Sequence, residues 1–341
     1  MSNVYDNILG LIGNTPMVRL NKVVEDNPAK VFAKLESYNP GHSVKDRIAL
    51  HIIETAEKKG ILTKGATIVE TTSGNTGFSV AMISALRGYK CILAVSDKTK
   101  PEKIAFLKSL GATVYVCPAS VPADDPRSYY EVAKRITAET PNSVYINQYF
   151  NELNVEAHYL TTGKEIWEQT EGKITHLFGC TGTGGTLSGS AKYIKEQNPD
   201  VKIIGVDADG SILKTYHETG KINKDEIHSY QIEGLGKNLI PDTLLFDKID
   251  EFVRVNDENS AYMTREIAVK EAIMGGYTTG AVMQAFKQYS QNHTFTKYDV
   301  VVLIFPDHGS KYMTKVYSDE WMAEMGFTHS DMAKYKEAII I

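Results

Sequence analysis

The chain has 341 residues and a formal net charge of -5, with hydrophobic residues at 42% and charged residues at 23%. This is the composition of a globular protein, and the length suits two domains better than one. Lysines and arginines form no basic stripe and no stretch approaches the roughly 20 apolar residues that span a bilayer, so we expect a cytoplasmic protein without nucleic-acid or membrane partners.

The first predicted elements are a β-hairpin and a helix. TPMVRLNKV (15–23) and KVFAKLESY (30–38) are predicted to pair as the hairpin. In the following NPGHSVKDR, Ser43 and Asp46 stand three residues apart before an apolar run of helical period, which predicts a helix start with a variant capping box. This places Lys45 in the first turn, where the helix dipole disfavours a cation.

Lys45 allows two interpretations. Positive charge close to a lysine favours its neutral, nucleophilic amine, as a reactive site requires. A solvated lysine paired with Asp46 or a nearby glutamate would give the same sequence, and one lysine does not decide between them.

From about residue 66, short β-rich runs alternate with helical patterns. A first series ends at SVYIN (143–147), NVEAHYLTTGKEIWEQT (154–170) is predicted to be helical, and a second series begins at ITHLFGC (174–180). Such alternation builds mainly parallel sheets with helices on both faces. We predict an α/β protein with two three-layer αβα domains, and a terminal helix over about the last fifteen residues.

Three glycine-rich turns are candidate binding loops. TTSGNTG (71–77) and GCTGTGGTLSG (179–189) each follow a predicted strand and open a helix, and MGGYTTGA (274–281) lies between two helical patterns. Backbone N–H groups at helix starts bind anions, and the carboxyl ends of parallel strands form the ligand crevice of an open α/β sheet. Taken alone, each turn is equally well explained as ordinary turn chemistry.

The second glycine-rich turn partly matches a dinucleotide-binding fingerprint. Gly182 and Gly184 form G-x-G, and Asp207 follows the next predicted strand, but Leu187 stands where the third glycine belongs. A nicotinamide-dependent oxidoreductase is therefore a weak alternative. A single compact phosphate suits the turn better, because it carries three threonines with hydroxyl groups, Thr181, Thr183 and Thr186.

The cysteines and histidines give no metal or disulfide signal. Cys91, Cys117 and Cys180 are far apart and flanked by apolar or small residues, which favours reduced thiols. The nine histidines show no ligand spacing, so we predict no structural metal.

Three motifs together resemble a known family. SVKDR (43–47), TSGNTG (72–77) and GTGGT (182–186) occur in the order found in the fold type II pyridoxal-phosphate enzymes of the cystathionine β-synthase and cysteine synthase family. The resemblance runs from DNILGLIGNTPMVRLNK to KYMTKVYSDEWM, and DADGSIL and QIEGLGKNLIP look closer to the catalytic core of the cystathionine β-synthases.

The resemblance implies an overall organisation. It implies a tryptophan synthase β-like fold in a homodimer. Residues 42–146 would form a smaller mobile domain, residues 1–41 with 147–325 a larger cofactor-binding domain, and residues 326–341 a tail.

The resemblance also implies residue roles. Lys45 would bind the aldehyde carbon of pyridoxal 5'-phosphate covalently and later act as a base at the substrate α-carbon, Asn75 would contact the ring oxygen, and Thr278 the ring nitrogen. The phosphate-binding residues would be Gly182, Thr183, Gly184, Gly185 and Thr186. The substrate-binding residues would be Thr72, Ser73, Gly74, Asn75, Thr76, Gln148, Tyr149, Gly234 and Lys237.

The implied reaction is β-replacement on L-serine or an activated serine by a thiol, with homocysteine preferred. A cysteine synthase that uses O-acetylserine or O-phosphoserine with sulfide is the alternative, and a non-catalytic binding protein on the same scaffold is disfavoured by the intact Lys45. Two residues depart from the family pattern. His42 stands where a small residue is more usual, and Lys237 where some cystathionine β-synthases carry an aromatic residue at the substrate entrance.

Overall fold

A computed structural model describes residues 4–72, 74–122 and 124–327. Ten strands lie within these ranges. They are β1 (Met17–Arg19), β2 (Lys30–Leu35), β3 (Thr67–Thr71), β4 (Lys90–Ser96), β5 (Thr113–Cys117), β6 (Ser143–Tyr145), β7 (His176–Cys180), β8 (Lys202–Ala208), β9 (Glu251–Val255) and β10 (Val300–Phe305).

Eleven α-helices accompany the strands in the same ranges. They are α1 (Lys45–Lys58), α2 (Asn75–Arg87), α3 (Pro101–Ser109), α4 (Tyr129–Glu139), α5 (Leu153–His158), α6 (Lys164–Gln169), α7 (Gly185–Gln197), α8 (Leu213–Thr219), α9 (Asp257–Glu271), α10 (Tyr277–Asn292) and α11 (Asp319–Glu324). The alternation predicted from the sequence is therefore present.

The described chain divides into two compact units. Unit 1 contains the described residues up to Gly13 together with Asn39–Ala157, and unit 2 contains Asn14–Tyr38 together with the described residues from His158 onward. The domain bounds given above from the family resemblance remain a prediction, and residues 328–341 of the predicted terminal helix lie outside the described residues.

Unit 1 is built on a four-stranded parallel sheet with the strand order β5–β4–β3–β6. Every residue of β3 is buried, as expected of a strand covered on both faces. Ile68 packs in a cluster with residues of α1 and α2, whereas its neighbour Val69 packs with residues of α4. Since neighbouring strand residues point to opposite faces, helices cover both faces of this sheet.

Unit 2 is built on a six-stranded sheet with the order β1–β2–β10–β7–β8–β9. The predicted hairpin is confirmed, because β1 runs antiparallel to β2, and the other neighbours are parallel. Leu177 packs in a cluster with residues of α7 and α8, and Phe178 packs in another with residues of α9 and α10. Helices therefore cover both faces here as well, and the predicted α/β class with mainly parallel sheets is confirmed.

One helical segment contains an irregular turn. Between α5 and α6 the chain forms a π-helical turn, Tyr159–Gly163, inside the stretch predicted as one helix. Gly163 lies against α7, where an added Cβ would stand 2.9 Å from the Cα of Ser190 and 2.9 Å from the Cβ of Tyr193. The absence of a side chain at Gly163 allows this close approach.

Three elements of unit 2 were not predicted from the sequence, namely β9, α8 and α11. β9 is an edge strand of five residues with two charged side chains, Glu251 and Arg254, which weaken its apolar signal. Within the described residues, no helix has the length and apolarity needed to cross a membrane.

Candidate active site

The strand order of unit 1 creates a ligand crevice at the carboxyl edge of its sheet. From β3 the chain proceeds outward to β4 and β5, and it then returns to place β6 on the other side of β3. The loops that follow β3 and β6 therefore lie at a topological switch point, where open α/β sheets bind ligands. The TTSGNTG loop follows β3, and Gln148 and Tyr149 follow β6.

Hydrogen bonds connect these two loops. The Thr76 hydroxyl donates to Gln148 Oε1 at 2.8 Å, and both side chains are buried, at 2% and 4% exposure. Within the loop, Gly74 N donates to Thr72 Oγ1 at 3.1 Å, and Gly74 itself is exposed. The structure thus brings together four residues predicted to bind substrate. Ser73 lies outside the described residues.

Lys45 is the first residue of α1 and is half-buried. Its N–H donates to Ser43 Oγ at 3.3 Å, while the N-cap position is Val44, which makes no side-chain capping bond. The predicted capping box is therefore wrong in its details, although the helix starts where the sequence predicted. His42, just before, is exposed and has a left-handed backbone with φ of 55°, a conformation uncommon for residues other than glycine.

Asp46 closes the turn in place of the predicted capping box. Its buried carboxylate accepts from Gly41 N at 2.5 Å and from Ser79 Oγ at 2.5 Å, and the same Ser79 hydroxyl lies 3.1 Å from Asn75 O. A Cβ added at Gly41 would stand 2.2 Å from Asp46 Oδ1. Asp46 thereby connects the start of α1, which carries Lys45, with the start of α2, which carries Asn75.

Glu70 is the second-last residue of β3, directly before the TTSGNTG loop. Its carboxyl group is completely buried and accepts from Thr71 N at 2.6 Å, from Thr71 Oγ1 at 3.1 Å and from Gln148 N at 3.4 Å. Burial raises the pKa of Glu70 from its ordinary 4.5 to about 7, against the opposing effect of these hydrogen bonds. Glu70 was not predicted as a site residue from the sequence, since one acidic residue in a strand gives no distinctive pattern.

Unit 2 contains a second switch point, between β7 and β10. The chain proceeds from β7 outward to β8 and β9 and then returns to place β10 on the other side of β7. The GCTGTGGTLSG loop follows β7 and opens α7, a helix of 13 residues. Its N-terminal N–H groups and helix dipole favour an anion at this point.

Glycines allow the backbones of this loop and of a neighbouring loop to approach closely. A Cβ added at Gly182 would stand 2.3 Å from Gly234 O, and a Cβ at Gly184 would stand 2.6 Å from the Cβ of Leu244. Gly184 and Gly234 also have positive φ values, 86° and 85°, which other residues rarely adopt. Gly182, Gly184 and Gly234 are thus brought together, as their predicted role in one site requires.

Two threonines of the GCTGTGGTLSG loop, Thr183 and Thr186, form hydrogen bonds with neighbouring segments. The Thr243 hydroxyl donates to Thr183 O at 2.6 Å, and Thr186 Oγ1 lies 3.1 Å from Nε2 of the buried His158. His158 Nδ1 in turn lies 2.8 Å from Thr162 Oγ1. Like Glu70, His158 and Thr243 were not predicted as site residues from the sequence, because their positions depend on packing between distant segments.

Thr278 lies in the first turn of α10 and is 5% exposed. Its carbonyl oxygen accepts from Cys180 Sγ at 3.4 Å, so it lies beside the residue that ends β7. Before it, Gly276 N donates to Asp307 O at 3.0 Å, and the buried Tyr312 hydroxyl donates to Asp307 Oδ2 at 2.8 Å. The MGGYTTGA turn is therefore fixed next to the loop that follows β10.

The main chain of Lys237 is also fixed in place. Lys237 N donates to Ser211 Oγ at 2.8 Å, and Lys237 O accepts from Ile212 N at 3.0 Å, while the residue as a whole is half-buried. Asp207, the acidic residue of the partial dinucleotide match, accepts from Ala208 N and Lys214 N, each at 2.9 Å. Its carboxylate is thus engaged with the backbone of its own loop.

Comparison with known proteins places the chain in a family. The family described as "Pyridoxal-phosphate dependent enzyme" matches residues 8–307. Cysteine synthase from Staphylococcus aureus is 38% identical over 316 residues, which are 92% of this chain and 97% of that protein. The chain belongs to the pyridoxal-phosphate-dependent enzymes. The resemblance stated from the sequence motifs is thereby confirmed.

Other relatives in this family carry a different name. Cystathionine β-synthase from Saccharomyces cerevisiae is 38% identical over 335 residues, and that from Mus musculus is 40% identical over 332 residues. These alignments include 96% and 97% of this chain, but 66% of the yeast protein and 58% of the mouse protein. This chain therefore spans about three-fifths of the length of the cystathionine β-synthases that it matches.

Solved structures of similar proteins have the same fold. An O-ureido-L-serine synthase superposes with a TM-score of 0.84 and 29% identity, covering 94% of this chain and 99% of that chain. A hydrogen sulfide-producing enzyme from Fusobacterium nucleatum superposes with a TM-score of 0.81 and 34% identity, covering 91% and 100%. The fold type II architecture predicted from the resemblance is confirmed.

The residues of unit 2 fit the phosphate group of this cofactor. A phosphate dianion requires several hydrogen-bond donors at short distance and a backbone that can approach it closely. The Thr183 and Thr186 hydroxyls and the N–H groups at the start of α7 are such donors. Gly182 carries no side chain, which allows close approach of the backbone. In the described residues, no group of three or more His, Cys, Asp and Glu side chains could hold a metal ion.

Proposed function

We propose that this chain catalyses β-replacement on L-serine or an activated serine, with homocysteine as the thiol and cystathionine as the product. The observation that supports the proposal is that two glycine-rich loops, one at the switch point of each sheet, each open a helix in a chain with a lysine at the start of α1. An amino acid brings a carboxylate and the cofactor brings a phosphate. The two loops therefore match two anions, and Lys45 supplies the amine.

Unit 1 would supply the residues that bind and deprotonate the amino acid. The backbone N–H groups and hydroxyls of residues 72–76, supported by Gln148, would bind its carboxylate. Lys45 would hold the cofactor through its Nζ until the substrate amine replaces it. Lys45 Nζ is then a free base for the proton on the substrate α-carbon. Asn75 would donate to the ring oxygen of the cofactor and Tyr149 would contact the substrate.

Unit 2 would supply the residues that anchor and orient the cofactor. When bound, pyridoxal phosphate supplies an electron sink for the negative charge left at the α-carbon. The loop 182–186 would bind its phosphate, and the Thr278 hydroxyl would face its ring nitrogen. A hydroxyl in place of a carboxylate leaves that nitrogen unprotonated, so the sink is weaker and loss of a β-leaving group is favoured over other reactions.

The identity of the thiol is the finer part of the proposal. Homocysteine and O-phosphoserine each bring one more anionic group than sulfide or serine, and Lys237 beside Gly234 would favour such a group. Cysteine synthase, with O-acetylserine or O-phosphoserine and sulfide, is the second candidate function. It is supported by the Staphylococcus aureus relative, which this chain covers over nearly its full length.

A substrate panel tests both candidates. The holoenzyme would be assayed with L-serine, O-acetyl-L-serine, O-phospho-L-serine and L-cysteine as donors against L-homocysteine, L-cysteine and sulfide as acceptors, with products identified by mass. We expect the highest kcat/KM for homocysteine with serine or an activated serine. Preference for sulfide with an activated serine would favour the cysteine synthase function, and no product from any pair would contradict β-replacement.

We also propose that the chain forms a homodimer. The proposal rests on the family resemblance, and light scattering at micromolar concentration tests it directly. A mass of one chain would contradict it.

A further inference from the structure

Glu70 occupies an unusual place for an acidic residue. It lies near the carboxyl end of a central strand, with no exposed surface, and one residue, Thr71, separates it from the loop 72–76. Its two carboxyl oxygens accept from Thr71 and from Gln148 N, and Gln148 Oε1 accepts from the Thr76 hydroxyl. Glu70 thus contacts both loops of the unit 1 switch point, from the side of the sheet.

The titratable groups around Glu70 are tyrosines. Tyr145 on β6 interacts electrostatically with Glu70 and also donates to, or accepts from, Thr71 Oγ1 at 3.0 Å. Tyr145 in turn interacts electrostatically with Tyr149 in the following turn and with Tyr129 and Tyr130 on α4, and Leu93 on β4 pairs with Glu70. Burial is the main cause that raises the pKa of both Tyr130 and Tyr145, so these hydroxyls stay neutral at physiological pH.

We propose that Glu70 is a positioning residue for the substrate carboxylate, and that the loop 72–76 binds this carboxylate tightly only while Glu70 is protonated. The inference rests on the proposed function of that loop. A neutral Glu70 still holds Thr71 through its second oxygen, whereas an ionised Glu70 places a buried negative charge directly behind a loop that must accept another one. Water screens this repulsion little, because Glu70 has no exposed surface.

The protonation equilibrium of Glu70 falls in the range that this role requires. Burial raises the pKa of Glu70 to about 7, so both forms are present near neutral pH in the absence of substrate. A carboxylate bound in the loop raises that pKa further, and binding is then coupled to uptake of a proton. The carboxylate affinity of the holoenzyme should therefore fall as pH rises through 7.

An inhibitor without an amino group isolates this effect. 3-Hydroxypropionate carries the carboxylate and hydroxyl of serine but no amine that titrates, and its own carboxyl stays ionised above pH 6. Its competitive inhibition constant against L-serine, or the best donor of the panel, would be measured on the holoenzyme from pH 6 to pH 8. We expect a rise of roughly fivefold, the change between pH 6 and pH 8 for a pKa that moves from about 7 to about 8 on binding.

The Glu70→Gln variant removes the titration and keeps an acceptor oxygen for Thr71. Its inhibition constant should stay within about twofold over the same pH range, close to the low-pH value of the wild type. Glu102→Gln is the matched control, because Glu102 is an exposed glutamate on α3 of the same unit. It should keep the wild-type slope. Equal slopes in the wild type and Glu70→Gln would overturn the inference.

A measurement on the wild type alone keeps the inference testable if Glu70→Gln does not fold. Binding of saturating 3-hydroxypropionate at pH 7, followed with an indicator dye, should take up about 0.4 proton per site for a pKa that moves from 7 to 8. No uptake would contradict the inference. Cofactor absorbance and donor turnover are recorded in parallel, since their loss would refute the proposed function and leave the role of Glu70 to the binding data.

Discussion

The two candidate anion loops have the same construction but different support. Each follows a parallel strand at a switch point and opens a helix, α2 in unit 1 and α7 in unit 2. The unit 1 loop is exposed at Gly74 and has the buried Glu70 directly before it. The unit 2 loop is enclosed by Gly234 and Leu244 and forms hydrogen bonds with Thr243 and His158.

This difference matches the residence times of the two ligands that we propose for these loops. A cofactor phosphate stays bound through many turnovers, so a closely packed loop with fixed donors suits it. A substrate carboxylate must enter and leave in each turnover, so an accessible loop with a titratable group behind it suits that role. A loop that retains its ligand therefore requires tight packing, whereas a loop that exchanges its ligand in each turnover requires access to solvent.

Lys45→Ala gives the largest expected effect and separates the two loops. β-Replacement should fall by several orders of magnitude, because the covalent attachment and the base at the α-carbon are lost together. The cofactor should still bind noncovalently through the unit 2 loop. In the wild type, borohydride reduction followed by mass spectrometry should place the pyridoxyl group on Lys45, and label on another lysine would refute the assignment.

Gly182→Ala and Gly74→Ala form a matched pair that compares the loops. The added Cβ would stand 2.3 Å from Gly234 O in the first variant, and 4.0 Å from Thr72 Oγ1 in the second. We expect Gly182→Ala to weaken cofactor binding by about 100-fold, the equivalent of a backbone displacement costing roughly 3 kcal/mol. Gly74→Ala should leave it nearly unchanged. Cofactor titration followed by absorbance measures both, and similar losses would show that the loops are not differently packed.

Thr278→Asp introduces a buried carboxyl group into unit 2, comparable to that of Glu70 in unit 1. A carboxylate close to the ring nitrogen should keep that nitrogen protonated and strengthen the electron sink. We expect β-replacement to slow by roughly tenfold, the effect of one pKa unit on a barrier, with more racemisation or transamination. Chiral chromatography of the recovered donor detects this. Unchanged turnover and product distribution would show that Thr278 does not contact the nitrogen.

Lys237→Ala should have the smallest effect and tests whether unit 2 also contributes to substrate binding. A cation roughly 4 to 6 Å from an added carboxylate or phosphate contributes on the order of 1 kcal/mol in a partly wet cleft, about fivefold in affinity. KM should rise by that factor for homocysteine or O-phosphoserine, whichever is the true substrate, and stay constant for sulfide and O-acetylserine. A uniform change, or none, would make Lys237 an ordinary surface residue.

The sequence predicted the parts of this protein that depend on local order. Strand and helix alternation, the hairpin of β1 and β2, and the helix start at Lys45 follow from periodicity and turn chemistry within a few residues. The switch points required the strand order, which places β6 next to β3 and β10 next to β7. Periodicity along the chain contains no information on that order.

Residues that support the loops from behind were missed for a related reason. His158 and Thr186 are 28 residues apart in the chain, and Thr243 and Thr183 are 60 apart. Their hydrogen bonds exist because the π-helical turn Tyr159–Gly163 packs against α7, and because the segment that contains Thr243 and Leu244 packs near the start of α7. Asp46 was predicted as part of a capping box, and the sequence did not indicate that its carboxylate accepts from Gly41 N and Ser79 Oγ.

The π-helical turn Tyr159–Gly163 determines the direction in which the side chains before it point around the helix axis. A π turn accommodates one residue more than an α turn, so it behaves as a single-residue insertion in an otherwise regular helix. Deleting one residue here would restore α geometry and rotate every preceding side chain by about 100°. The imidazole of His158 would then point away from Thr186. The extra residue thus determines the direction in which the His158 side chain points relative to α6.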